Sequence, residues 1–459
     1  MDIVRFLRCE VTGLHPEGKF VLVRLLMKYQ ADGGFSRTVQ DLADDIGIRA
    51  PSIAKALAAL EAHKLLSVSS VSNGRGRPVR RFLFTAHLKA SLSKVSLPDG
   101  YTPACSVERL VETGSDGTDA DIIHRPDWTD GILHQKRKVG RLSVTNRLLV
   151  AVMMTAADRL GVVNSLGLAD LRGATGLSKE RLIYRLSRLV AIGVIRCRIP
   201  GATGHELFGL AKSTYVFNLA DPELAVLDLK PTVIVKPLLA TRPSSWCSLG
   251  ESVYVSANQP HNPGLVSEDE RRSLHRLLHV RGYFDRRDRG QISLTLEFKL
   301  LFYASLLLSN HRELVPTFPA DFPAQEPSEV LFLQDRFRRD FPSAETAGLA
   351  SILELHACLW EAVCRKAIEI QKLLNRTYLP LEGEWDFLVL PVPLQAPDIR
   401  YLTVLALPKA EPTVTGCYIF GGDAALPKRF PSETEMDVSS RLDYGLLSGP
   451  GPRAGGYRE

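Results

Sequence analysis

Lys179, Arg181, Tyr184, Arg185 and Arg188 lie in a stretch whose apolar residues, Leu182, Ile183, Leu186 and Leu189, recur at helical spacing. Cations along one face of a helix are suited to duplex DNA. Arginine and lysine donate to guanine edges in the major groove and neutralise the phosphates on either side. A second group, Arg75, Arg77, Arg80 and Arg81, lies in and just after Ser72-Asn-Gly-Arg-Gly-Arg-Pro-Val79. An arginine flanked by glycines at a hairpin tip is slim enough to enter a minor groove. A third, sparser group consists of Arg49, Ser52, Lys55 and Lys64. The competing reading of all three is a solvated helix or loop surface with no nucleic-acid role.

Other reactive residues fall into poorer patterns. His275 and His279 are four apart on an expected helix over 267–280, but no third ligand accompanies them, so core or surface histidines are expected. Cys358 and Cys364 bracket Trp360 and point to different faces of one helix, as small apolar fillers would. The run Arg281-Gly-Tyr-Phe-Asp-Arg-Arg-Asp-Arg-Gly290 mixes arginines with aromatics, but Asp285 and Asp288 offset it. Arg336, Arg338 and Arg339 beside Phe337 have the same bland reading. The chain has no GxxxxGK[ST] loop, no GxGxxG after a strand, no GxSxG elbow and no HExxH. The expectation is therefore a protein that is not an enzyme and needs neither cofactor nor metal. A recombinase, whose catalytic residues are dispersed, lies beyond the reach of such motifs.

The elements that must position these cations are repeated. Leu42, Gly47, Ile48, Ile53, Leu57, Leu60, Leu65 and Leu66 are answered, 129 residues later, by Leu171, Gly176, Leu177, Leu182, Leu186, Leu189, Val194 and Ile195. In the first copy a helix over 18–30 precedes a short helix capped by Ser36 or Thr38. Gly47 turns the chain, and a helix over 50–63 follows with Pro51 in its first turn. Strands at Leu66–Val71 and Arg80–Phe84 flank the basic loop. In the second copy, helix 144–160 starts at Ser143 or Thr145, Leu168–Gly176 is the positioning helix, and Ser178 caps Lys179–Ile192. A longer hairpin runs from Arg196 to Phe217. The exposed positions of the two copies are expected to diverge, with Arg181, Arg185 and Arg188 answering Ser52, Ala56 and Ala59.

Helix, helix, turn, helix and hairpin is the order of a winged helix, and residues 18–90 resemble the MarR-type winged-helix family down to the arginine-bearing wing and Thr85. This resemblance implies a DNA-binding fold and leaves ligand and operator open. The tandem arrangement is similar to that of plasmid replication initiators, and to winged-helix subunits of chromosome-organising complexes that bind a partner chain.

A chain of 459 residues exceeds one hydrophobic core, and its 45% hydrophobic and 24% charged residues are ordinary globular values. The net charge of +6 permits nucleic-acid binding without requiring it. Seven scattered cysteines without a CxxC pair, no signal-like start and no membrane-length apolar run point to a cytoplasmic chain. Its composition suits a bacterial source. The expected fold is mainly α with small β wings: two tandem winged-helix domains plus a helical, partly mixed α+β C-terminal domain. The expected boundaries are a first winged helix over 1–92, a linker over 93–140 ending in the basic cluster Lys136-Arg-Lys138 and Arg141, and a second winged helix over 141–220. A linker or irregular segment over 221–264, a helical domain with short strands over 265–425 and a disordered tail over 426–459 complete the chain.

The leading functional expectation is a bacterial transcriptional regulator that binds double-stranded DNA through Ser52, Lys55, Arg75, Arg77, Arg80, Lys179, Arg181, Tyr184, Arg185 and Arg188. Its C-terminal half would serve a homodimer or protein partner, with no membrane role. A replication initiator and a protein-interaction subunit are the alternatives.

Overall fold

The computed structural model describes residues 3–11, 13–29, 34–71, 79–95, 104–112, 123–129, 132–139, 142–205, 207–224, 230–238, 289–315, 328–342, 349–381, 383–391, 400–410, 414–421 and 426–448. They form a mainly helical protein with small sheets, divided into two compact units. The first comprises Met1–Arg196 with Val216–Leu229, and the second Cys197–Tyr215 with Lys230–Ser448.

The first unit opens with α1 (Ile3–Arg8) and α2 (Pro16–Tyr29), followed by β1 (Gly34–Ser36), α3 (Val39–Ile46), α4 (Ala50–Ala62), β2 (Leu66–Val71) and β3 (Val79–Phe84). The strands pair antiparallel in the order β1-β3-β2. Period-two alternation sends Phe82 and Phe84 inward and leaves Arg81 and Leu83 exposed. Phe35 stacks between Tyr29 and Phe82, with ring centroids 4.3 and 5.0 Å away. Thr85 caps α5 (Ala86–Ser93) and donates its hydroxyl to the Lys64 carbonyl at 2.5 Å, locking the end of the sheet to the end of α4.

The same order returns in α7 (Val144–Met154), β6 (Val162–Val163), α8 (Leu168–Thr175), α9 (Lys179–Ala191) and β7 (Ile195–Ile199). Before it stand α6 (Ala104–Glu112), β4 (Ile123–Thr129) and β5 (Ile132–Val139); after it come β8 (Ala202–His205), β9 (Gly209–Ala211) and β10 (Thr214–Phe217). A three-stranded sheet runs β6-β10-β7. Asn218 closes it: its amide donates to the Gly193 carbonyl at 3.1 Å, and its Oδ1 accepts from the buried Arg196 guanidinium at 2.9 Å.

Residues 104–112, 123–129 and 132–139 form elements where a linker over 93–140 was expected. Val107, Leu110 and Val111 of α6 are buried, and α6 packs against α1 and α7. The amphipathic spacing of these three residues is short, and a nine-residue helix gains its stability from the neighbours it covers rather than from propensity. α1 packs on α2, α6, α7 and α8, while α2 also packs on α4 and α7. The two repeats thus share one helical core.

Lys19 lies buried on α2, where its ammonium donates to the Cys9 carbonyl. Burial pushes its pKa down to about 8. A lysine that holds its proton less tightly when folded weakens the fold wherever the unfolded chain would be charged, so this cost is full below pH 8 and disappears as pH rises towards 10.5. Lys19→Met is expected to stabilise the chain at pH 7 and to flatten the rise in stability between pH 8 and 10.5. Urea denaturation of both forms across that range checks it.

The second unit is built on a five-stranded sheet whose one face packs on three long helices. Its elements are β8 and β9, which the sequence assigns to the second winged helix, with β11 (Thr232–Leu238), α10 (Arg289–Asn310), α11 (Ser328–Asp340), α12 (Leu349–Asn375), β12 (Trp385–Val389), β13 (Arg400–Pro408), β14 (Cys417–Ile419), β15 (Lys428–Phe430) and α13 (Val438–Asp443). The strand order is β12-β13-β11-β14-β15, with β11 antiparallel to β13 and parallel to β14. Phe387, Val404, Ile234 and Tyr418 join Leu300, Tyr303, Leu359 and Val363 of the helices in one core. The edge strand β12 is capped from α10: Ser305 and Ser309 accept from the Val389 and Phe387 amides at 2.9 and 2.8 Å.

Two expected boundaries are corrected here. Residues 221–264 contain β11, the middle strand of the sheet, whose buried Val233, Ile234 and Val235 were too short a run to stand out among prolines. Over 426–448 the tail expected to be disordered instead adds β15, a 3₁₀ turn at Glu433–Glu435 and α13, while 449–459 lies outside the described residues. Thr403 on β13 donates to the Tyr444 carbonyl at 2.5 Å, and Tyr401 meets the Tyr444 ring edge-on. Glu433 and Arg441, both buried, pair through Nε and Nη2 at 3.2 and 2.9 Å. Glu433→Ala strands a buried guanidinium, and a loss of about 3–5 kcal/mol is expected from chemical denaturation of the variant.

Candidate nucleic-acid interface

In both repeats two helices meet at a tight turn, and the local sequence dictates its shape. Thr38, not Ser36, caps α3: its hydroxyl accepts from the Asp41 amide at 3.1 Å while the Asp41 carboxylate accepts from the Thr38 amide, also at 3.1 Å. In α8 the Asp170 carboxylate accepts from the Gly167 amide at 2.8 Å. Both helices end on a glycine with φ 71°, Gly47 and Gly176, whose amides close onto Ala43 and Arg172. The next helices begin in register, with Pro51 in the first turn of α4 and the Ser178 hydroxyl accepting from Arg181 in α9. Their exits match too: Lys64 adopts φ 57° where the second copy places Gly193 at φ 77°.

The cations of α9 divide into two kinds. Lys179, Arg181 and Arg188 are exposed, as is Tyr184 at 70%. Helical spacing puts Arg181, Tyr184 and Arg188 on one exposed face, with Lys179 apart from them at the first turn. Glu180 also stands at the helix start, where the backbone and the Ser178 side chain hold its carboxyl below the usual range. Arg185 differs: half-buried, it donates to Asn146 Oδ1 at 2.7 Å and to Ser143 Oγ at 3.3 Å, binding α9 to the start of α7. Asn146 lies 39 residues upstream, and nothing local in the sequence marks it as the partner.

In the first repeat Ser52 and Lys55 are exposed on α4, but Ala56, expected on the outer face beside them, is buried and Ala59 is half-buried. Position 56 answers Arg185, so both repeats turn this position towards their own framework. The exposed faces diverge instead at Ser52 against Arg181 and Lys55 against Tyr184. Arg80 and Arg81 are exposed on β3, where the Arg80 carbonyl accepts from Ser36 Oγ at 3.2 Å. Arg75 and Arg77 lie outside the described residues, as do His275, His279 and the 281–288 run. Cys364 is buried in the second unit's core and Cys358 half-buried, both on α12.

The chain matches no family model and no curated protein. Among the described residues, no helix is long and apolar enough to cross a membrane.

The second turn is pressed against the first repeat. A Cβ on Gly176 would lie 2.1 Å from the Leu14 carbonyl oxygen, and its positive φ already disfavours any side chain. Gly176→Ala is therefore expected to destabilise the first unit by at least about 2 kcal/mol, measured as a fall in denaturation midpoint.

Proposed function

We propose that the chain binds double-stranded DNA through two winged helix-turn-helix modules, as a bacterial transcriptional regulator, with α9 as the principal reading helix. The observation that carries this reading is the exposed row Arg181, Tyr184 and Arg188, with Lys179 exposed at the start of the same helix, after a glycine-capped turn. Side chains of these types donate to guanine edges and phosphates and pack on the backbone sugars. The first module contributes Ser52 and Lys55 and, through its wing, Arg75, Arg77 and Arg80. Arg185 acts as a positioning residue that holds α9 against α7.

Because both modules share one helical core, the two readers engage a site of fixed spacing. The second unit is assigned to dimerisation or a protein partner.

The test is DNA selection from a genomic pool by the full chain, followed by a salt titration on the recovered site. Arg181→Ala with Arg188→Ala is expected to weaken binding to that site by about 1–3 kcal/mol per lost base contact, with random DNA less affected. Unselective retention with a shallow salt slope, or retention unchanged by the double variant, would overturn the regulator reading in favour of a protein adaptor.

A further inference from the structure

The basic cluster Lys136-Arg-Lys138, which the sequence places at the end of a linker, belongs to a β-ribbon. β4 and β5 pair antiparallel from Ile123↔Val139 to Thr129↔Ile132, with a register shift between Arg125 and Asp127. β4 runs beside α9 within the first unit. This topology brings Arg125, Lys136, Arg137 and Lys138 to one ribbon next to the proposed reading helix, with Asp127 as the sole acidic residue of the two strands.

The register is what singles this ribbon out. Arg125 stands directly opposite Arg137, and His124 opposite Lys138. Like charges at directly opposed positions of an antiparallel pair destabilise it. A ribbon that sets two arginines against each other gains when a polyanion lies along it. Two-stranded ribbons are also narrow enough to follow a groove wall or the backbone beside it.

We infer that the β4–β5 ribbon is a third DNA-contacting element, which grips the phosphate backbone next to the site read by α9. This inference rests on the DNA-binding reading above. Phosphate contacts of this kind carry no sequence preference, so the ribbon sets affinity and salt dependence while α9 sets specificity.

The full chain is titrated with its selected duplex and with a random duplex of equal length, between 50 and 200 mM salt, as wild type, Arg125→Gln/Arg137→Gln, Lys136→Gln/Lys138→Gln, and Arg181→Ala/Arg188→Ala. Thermal melts identify any variant that is misfolded, and the two ribbon variants back each other up. The expected result is that each ribbon variant loses affinity for both duplexes by similar factors and lowers the salt slope by roughly 0.9 per phosphate contact removed. The α9 variant loses chiefly its preference for the selected site. As an independent readout, Arg137→Glu should raise the melting temperature of the free protein by replacing a repulsive pair with an attractive one, while weakening DNA binding further. If wild type and ribbon variants bind DNA alike while the α9 variant fails, the ribbon inference is overturned, and its charge serves an acidic protein surface instead. If the wild type binds neither duplex, the DNA-binding reading falls first and the ribbon inference with it.

Discussion

The helical core shared by α1, α2, α6 and α7 is the constraint on which the first unit depends. Neither repeat buries its leading helix by itself: the apolar residues of α2 spread around most of its surface, so α2 needs α4 on one side and α1 and α7 on others. Each repeat therefore completes its fold partly with residues from the other. Separating the two repeats would uncover the apolar contact between α2 and α7, a cost that opposes a long flexible tether between them. Even the turn at Gly176 uses contact between the repeats, since the Leu14 backbone occupies the space a side chain would need.

Holding both repeats in one body changes what the surface cations mean. On a mobile linker, a basic cluster at 136–138 samples many positions and adds only diffuse attraction. In the β4–β5 ribbon, whose strand β4 contacts α9, the same cluster has a defined place in the first unit. The proposed division of labour follows from that placement. α9 carries the exposed Arg181 and Arg188, whereas α4, of equal length, is alanine-rich and the first repeat's exposed Arg80 and Arg81 lie on β3.

The second unit answers a different requirement. A sheet with apolar residues on both faces must be covered twice, and Val233, Val235 and Leu405 are as buried as Ile234 and Val404 on the helix side. The C-terminal segment is held on its sheet through Tyr401, Thr403 and the Glu433–Arg441 pair. Its elements are too short to leave a strong periodic pattern in the sequence.

Much of the local architecture was legible in the residues. Capping threonine, serine and aspartate, glycines at the helix ends and apolar residues at helical spacing located α3, α4, α8 and α9 to within a residue or two, because those signals act over one or two turns. The same spacing placed Arg181 and Arg188 outward. It misplaced Ala56 and missed the engagement of Arg185, because which side of a helix faces solvent depends on what else packs there, and Asn146 is remote in sequence. β11 and α6 fall where the sequence suggests linkers, and β15 and α13 where it suggests a disordered tail, for the same reason: each is a short segment whose order comes from partners far along the chain. The sequence by itself determined the two repeated turns and the types of side chain they carry. Tertiary packing decided that the repeats form one body, which arginine is tied to the framework, and that a basic ribbon lies beside α9, since those outcomes depend on long-range burial that no local window contains.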